Sequence, residues 1–169
     1  TDVTDVMKEV DFKVFKAAAE MKDGRVVALR IPGGGEMPRS EIDAYTEFVK
    51  IYGAKGLAWW KPGVEGGAGG SIVKFCQGDS GAKLCEVTGA GEGDLILLVG
   101  DQEPTTWRSL GALRLHVARE LGMIPDVDGA DAGSTGPWNF LWVTDFPMFE
   151  RDEEPADGGP PRWVSLHHP

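Results

Sequence analysis

Residues 94–99 (DLILLV) place five apolar side chains in a row behind a single acid. A strand exposed on one face alternates apolar with polar residues, whereas a strand covered on both faces reads as a continuous apolar run. The segment therefore predicts a buried central strand, and the rest of the chain must supply strands beside it and cover above and below. Residues 25–31 (RVVALRI) read as one such neighbour, with Val27, Leu29 and Ile31 on one side and Val26, Ala28 and Arg30 on the other. It stops at the breaker cluster Pro32-Gly33-Gly34-Gly35. Residues 56–61 (GLAWWK) read as a second neighbour.

Two helical stripes supply the cover. Ser40 is placed as an N-cap, with Glu41 and Asp43 in a first turn where acids suit the helix dipole. Ile42, Tyr45, Phe48, Val49 and Tyr52 form the apolar face, and Gly53 is a natural stop. Thr105 or Thr106 caps the second helix, whose predicted buried stripe is Trp107, Leu110, Leu113, Val117 and Leu121, ending at Gly122. Arg108, Arg119 and Glu120 should be solvated. Strands mixed with helices in this order suggest a two-layer α+β sandwich. Between these elements, residues 62–71 form a glycine-rich loop tip, and only residues 83–87 read as helical before the central strand. Residues 125–137 have linker composition. Behind them lie two strand-like pieces, 140–144 (FLWVT) and 162–166 (RWVSL), around an acidic turn at 150–161. Such a hairpin is not stable alone and needs a sheet to join.

Charge and composition narrow the function. The 169 residues carry a net charge of −10, which argues against a general polyanion binder. Residues 125–169 hold nine acids and two bases, so the first 124 residues are close to neutral and the basic side chains there are scattered. RNA contact by that part should be weak, salt-sensitive and confined to roughly one or two phosphates. No run of about 18 apolar residues is present, and the start of the chain, at Thr1, has no secretory pattern. The chain reads as a piece cut from a longer protein. Two cysteines, Cys76 and Cys85, and three histidines form no metal-ligand spacing. The glycines of 62–71 lack the Gly-Lys-Ser/Thr of a phosphate loop, and Gly89, Gly91 and Gly93 lack dinucleotide-fingerprint spacing. Asp145 and Glu150 bracket Phe-Pro-Met-Phe and are read as structural, because a spacing of five points them to opposite faces of a strand. His116 reads as a boundary residue of its helix. His167 and His168 follow a strand end, where alternation turns one inward and one outward.

Several segments together resemble bacterial-type aspartyl-tRNA synthetase: 2–6 (DVTDV), 12–15 (FKVF), 25–34 (RVVALRIPGG), 52–58 (YGAKGLA), 110–114 (LGALR), 142–150 (WVTDFPMFE) and 167–169 (HHP). The order agrees from end to end. The resemblance implies a GAD domain, an α+β sandwich with an antiparallel sheet, inserted into a class II catalytic domain. On that reading residues 1–11 lead in from the catalytic domain and 12–122 are the insertion. Residues 123–137 are the linker, and 138–169 return to the catalytic sheet. It implies a cytoplasmic, homodimeric enzyme that activates L-aspartate with ATP and Mg²⁺ and transfers it to tRNA. The family's ATP-binding residues fall outside residues 1–169, so no catalytic or cofactor-binding residue is assigned. His167 is similar to the family's aspartate-binding histidine. The alternative is a non-catalytic GAD interaction module of a tRNA-dependent amidotransferase subunit. The stretch 62–94 departs from the family by being short and rich in glycine. The isolated chain is expected to catalyse no aspartate-dependent ATP–pyrophosphate exchange; exchange above background with pure protein would contradict the reading as a piece.

Overall fold

The computed structural model describes residues 1–63, 69–124, 142–144, 148–152, 155 and 157–165. The chain divides into two compact units, Thr1–Pro125 and Asp126–Pro169. In the first unit the elements run α1 (Thr4–Met7), α2 (Lys13–Glu20), β1 (Gly24–Ile31), α3 (Arg39–Ile51), β2 (Ala58–Lys61), β3 (Gly69–Gly70), α4 (Asp79–Thr88), β4 (Leu95–Gln102) and α5 (Glu103–Glu120).

The apolar run becomes β4, and it is central. The sheet order is β1-β4-β2-β3, with every pairing antiparallel. All eight residues of β4 pair with β1, from Leu95 opposite Ile31 to Gln102 opposite Gly24, but only Ile96 to Leu98 pair with β2. Strand alternation then sorts the core into two. Val27, Ile31, Leu95, Leu97 and Val99 face α3 and α5 through Ile42, Tyr45, Val49, Leu110, Leu113 and Val117. Val26, Ala28, Ile96 and Leu98 face the other way, toward Val3, Met7, Phe15, Ala18 and Leu84. The expected α+β fold is present: an antiparallel sheet with its two long helices side by side on one face. The shorter α1, α2 and α4 cover the opposite face, and Val3, Met7 and Val10 near the start of the chain are buried within that core.

Helix starts differ from the sequence expectation for local reasons. Ser40 does not cap α3. Pro38, at φ −68° and ψ 153°, takes the N-cap position, and its carbonyl accepts from the N–H of Glu41 at 3.1 Å. Proline fixes that backbone without any side-chain bond. Neither Thr105 nor Thr106 caps α5, which begins at Glu103 with Pro104 in the first turn. Thr106 instead donates its hydroxyl to the Gln102 carbonyl at 2.9 Å, and Ser109 donates to the Thr105 carbonyl at 2.7 Å. Satisfied in this way, both hydroxyls can be buried. They occupy the core stripe, which turns the predicted Trp107 and Leu121 outward to 45% and 46% exposure. β2 starts at Ala58 rather than Gly56, and α4 runs beyond the expected 83–87 to Asp79–Thr88. Within the predicted loop 62–71, Gly69 and Gly70 pair with Lys61 and Trp60, extending the sheet by a short edge strand.

Among its described residues the second unit forms a hairpin, β5 (Phe149–Asp152) with β6 (Arg162–Ser165). The strand expected at 140–144 is not its partner. Residues 142–144 have no strand structure, while 140 and 141 lie outside the described residues. The strand expected at 162–166 is present as β6, and its partner β5 forms at the start of the acidic stretch, where Glu150 pairs with Val164 and Arg151 with Trp163. The linker expected at 125–137 lies outside the described residues.

α2 sits unusually close to the sheet. A Cβ on Gly24 would lie 1.8 Å from the Ala18 carbonyl oxygen, and one on Gly100 would lie 3.0 Å from the Phe15 ring. Gly24→Ala is therefore expected to lose about 1–3 kcal/mol or more, as overpacking against backbone does. Gly111→Ala is the opposite case. Its added methyl meets nothing within 4 Å, and the site is an exposed helix interior, so about 0.5–1 kcal/mol should be gained. Urea denaturation of both variants checks the signs.

Candidate functional site

The best-built polar constellation in the first unit centres on Asp94, at the mouth of β4. The chain must bring two loops to one sheet end: the Pro-Gly turn after β1 and the glycine turn after α4. Asp94 ties them together. Its Oδ2 accepts from the Gly91 N–H at 2.9 Å and from Arg30 Nε at 2.9 Å, and its Oδ1 accepts from the Gly33 N–H at 3.0 Å. Gly33 has φ +70°, a left-handed conformation that other residues adopt with strain and that aims its N–H at the carboxylate. The Gly91 bond foremost, then those from Gly33 and Arg30, hold the Asp94 carboxyl below the usual carboxylate range against the opposing effect of burial. The sequence reading treated Asp94 only as the head of an apolar strand. A lone acid in front of five apolar residues was the available signal.

A second constellation joins α3 to α5. The Tyr45 hydroxyl donates to Glu120 Oε2 at 2.7 Å, and His116 Nε2 lies 3.3 Å from Glu120 Oε1. The His116 ring stacks on Phe48 at 4.4 Å with planes 10° apart. Burial, then the bond to Glu120, pushes the Tyr45 phenol well above its ordinary value. His116 is thus a boundary residue wedged between two helices, as the helical periodicity suggested.

Between α2 and the start of β2 lies an apolar pocket of about 360 Å³, lined by Phe12, Phe15, Met21, Leu57 and Leu98, with Lys55 among its few polar groups. Lys55 Nζ stands 3.7 Å from Asp101 Oδ2. Cys76 is buried and its thiol is pushed up to about 12, mainly by burial and further by Cys85. Burial in apolar surroundings disfavours the thiolate, the nucleophilic form. Among the described residues, no three His, Cys, Asp or Glu side chains are placed to hold a metal ion, and no helix is long and apolar enough to cross a membrane.

His167 and His168 lie outside the described residues, as does Asp145. Glu150 is exposed on β5. The first unit is thus a domain of α+β type, a sheet covered by helices on both faces. Over residues 15–110, more than half of its length, the chain matches the GAD domain family, and it belongs to that family.

The Asp94 clamp has a measurable consequence. Its folded-state pKa is depressed, so its contribution is fully present above the unfolded value of about 3.9 and is lost as pH falls through the lower folded value. Asp94→Asn should flatten the acid limb of stability in that window. Asp94→Ala, which leaves Arg30 and two N–H groups without their acceptor, should cost about 2–4 kcal/mol at pH 7. Denaturant titrations between pH 7 and pH 2 check both.

Proposed function

We propose that the chain is a piece of an aspartate–tRNA ligase. Membership of the GAD family supports the class, and the segments outside the family match support the finer reading. The sequence 142–150 (WVTDFPMFE) and the closing His167-His168-Pro169 resemble a returning strand of a class II catalytic domain. An isolated docking module has no need of them. That pair of segments is the observation that carries the proposal.

In this reading the parent enzyme is cytoplasmic and homodimeric. It joins L-aspartate to the α-phosphate of ATP with Mg²⁺, releasing pyrophosphate, and then moves the aspartyl group to tRNA. Such chemistry depends on positioning and on cations that stabilise developing charge. The groups supplying them belong to sequence beyond these residues. The part assigned to this chain is substrate recognition at His167, just past β6. An imidazole N–H donates to a carboxylate and so suits a small amino acid with an acidic side chain. The sequence following Pro169 in the gene tests the class: a glycine-rich third class II motif ending in an arginine is expected there, and an amidotransferase subunit would lack it.

In the full-length enzyme, His167→Ala should raise the KM for aspartate far more than that for ATP. Loss of a hydrogen bond to a charged group costs about 1.5–3 kcal/mol, or roughly tenfold to a hundredfold in binding. His168→Ala, on the opposite side by strand alternation, should have the smaller effect. Steady-state kinetics beside thermal melts decide the matter: a lowered melting temperature with unchanged aspartate kinetics would remove His167 from the site.

A further inference from the structure

The acidic chain carries one stretch that breaks its own pattern. Residues 107–119 (WRSLGALRLHVAR) contain three arginines, one histidine and no acid. They form most of α5, and helical periodicity sorts them. Ser109, Leu110, Leu113 and Val117 point into the core. Trp107, Arg108, Gly111, Arg114, Leu115 and Arg119 are exposed. Elsewhere the basic groups of this unit are largely spoken for. Arg25 lies between Asp2 and Glu103, Arg30 bonds Asp94, Arg39 meets Asp43, Lys55 meets Asp101, and Lys61 donates to the Met37 carbonyl. Arg114 and Arg119 form no ion pair among the described residues. They flank Leu115 at the two borders of the exposed arc, five residues, about 7.5 Å of helix rise and roughly 140° of rotation apart. Trp107, 45% exposed, stands on the same side two turns before Arg114.

From this arrangement we infer that the outer face of α5 is an RNA-contact surface, with Arg114 and Arg119 on two backbone phosphates and Trp107 available to stack on an unpaired base. The choice of RNA rests on the reading of the chain as a tRNA-ligase piece; the choice of helix face does not. Two features favour a phosphate backbone over an acidic protein. All the cations on the face are arginine, whose planar fork matches phosphate oxygens. An exposed indole beside arginines is a stacking platform for bases. The stretch 107–119 itself carries no carboxylate, and Glu103, one turn before Trp107, accepts from the Trp107 indole N–H at 3.4 Å and is countered by Arg25 at 3.5 Å. Sequence readout is not part of the inference, because phosphate contacts position a nucleic acid without reading it.

The experiment is fluorescence anisotropy of a labelled tRNA transcript titrated with the 169-residue chain at 50 and 200 mM KCl. Two phosphate contacts on duplex RNA predict weak binding whose affinity falls roughly twelvefold across that salt range. Arg114→Gln/Arg119→Gln should lose most of the low-salt affinity and nearly all of the salt dependence, with each single variant about midway. Trp107→Ala should weaken binding to a single-stranded oligonucleotide more than to a duplex, and Arg39→Gln should change nothing. All substituted sites are exposed, and a thermal melt of each variant reads folding independently. Wild-type affinity retained by the double variant, or no binding by the wild-type chain at 50 mM KCl, overturns the inference. Polyglutamate displacing the RNA at equal charge concentration also overturns it, in favour of an acidic protein partner. A gene lacking the third class II motif would sink the ligase reading while leaving the arginine dependence of binding intact.

Discussion

β4 loses water on both faces at once, and the rest of the first unit follows from that. Leu95, Ile96, Leu97 and Leu98 are each fully buried. Full burial of one such side chain is worth about 1.5–3 kcal/mol, but it requires partners above, below and to each side. The strand's backbone groups need ladders as well, because an unpaired buried N–H or carbonyl costs as much as the hydrogen bond it lacks. β1 answers along the whole length of β4 and β2 along three residues. α3 and α5 roof one face with Ile42, Val49, Leu113 and Val117, while Phe15, Ala18 and Leu84 close the other.

Polar groups are placed where this apolar frame would otherwise come apart. Asp94 sits at the entry to β4 and ties the turn after α4 to the end of β1 and the turn behind it through three hydrogen bonds. Thr106 and Ser109 enter the core of α5 only because carbonyls one turn back accept their hydroxyl protons. Trp60 is the exception among the described residues: its indole N–H is buried with no partner. Nothing in the described structure accounts for it.

The legible part of the fold was the part written in strong period. The apolar run of β4, the alternation of β1 and the 3-4 stripe of α3 each encode one geometry, and each formed. What escaped was encoded in weaker terms. α2 offers just Phe15 and Ala18 to the core, so its sequence carries little stripe; the Ala17-Ala18-Ala19 run, with its high helix propensity, was the clue. The start of α5 misled because a tryptophan reads as core and a threonine as cap, while satisfied hydroxyls reversed the two. The hairpin misled for a related reason. FLWVT has the strand composition, yet ladder pairing fell to 149–152, where acids alternate with Phe149 and Arg151 across from Trp163 and Val164. For the site, the Asp94 clamp depends on loop backbone N–H groups that no side-chain pattern announces. The arginines of α5 were visible one by one, and the middle of the core stripe, Leu110, Leu113 and Val117, formed as expected, but Trp107 joined the outer face only because Thr106 and Ser109 took the core positions at the start of the helix.

The first residues of the chain are sewn to the outer edge of β1. The Val3 N–H donates to the Val26 carbonyl at 2.9 Å, the Ala28 N–H donates to the Thr1 carbonyl at 2.8 Å, and the Val26 N–H donates to Thr4 Oγ1 at 2.9 Å. Because the segment runs antiparallel along the strand, tension applied at Thr1 in the strand direction loads these bonds together, in shear. The same tension applied perpendicular to the sheet would peel them one after another. The edge is therefore mechanically anisotropic: a tether pulling along β1 moves the sheet as a body, and one lifting away from it frees the first residues before it disturbs the core.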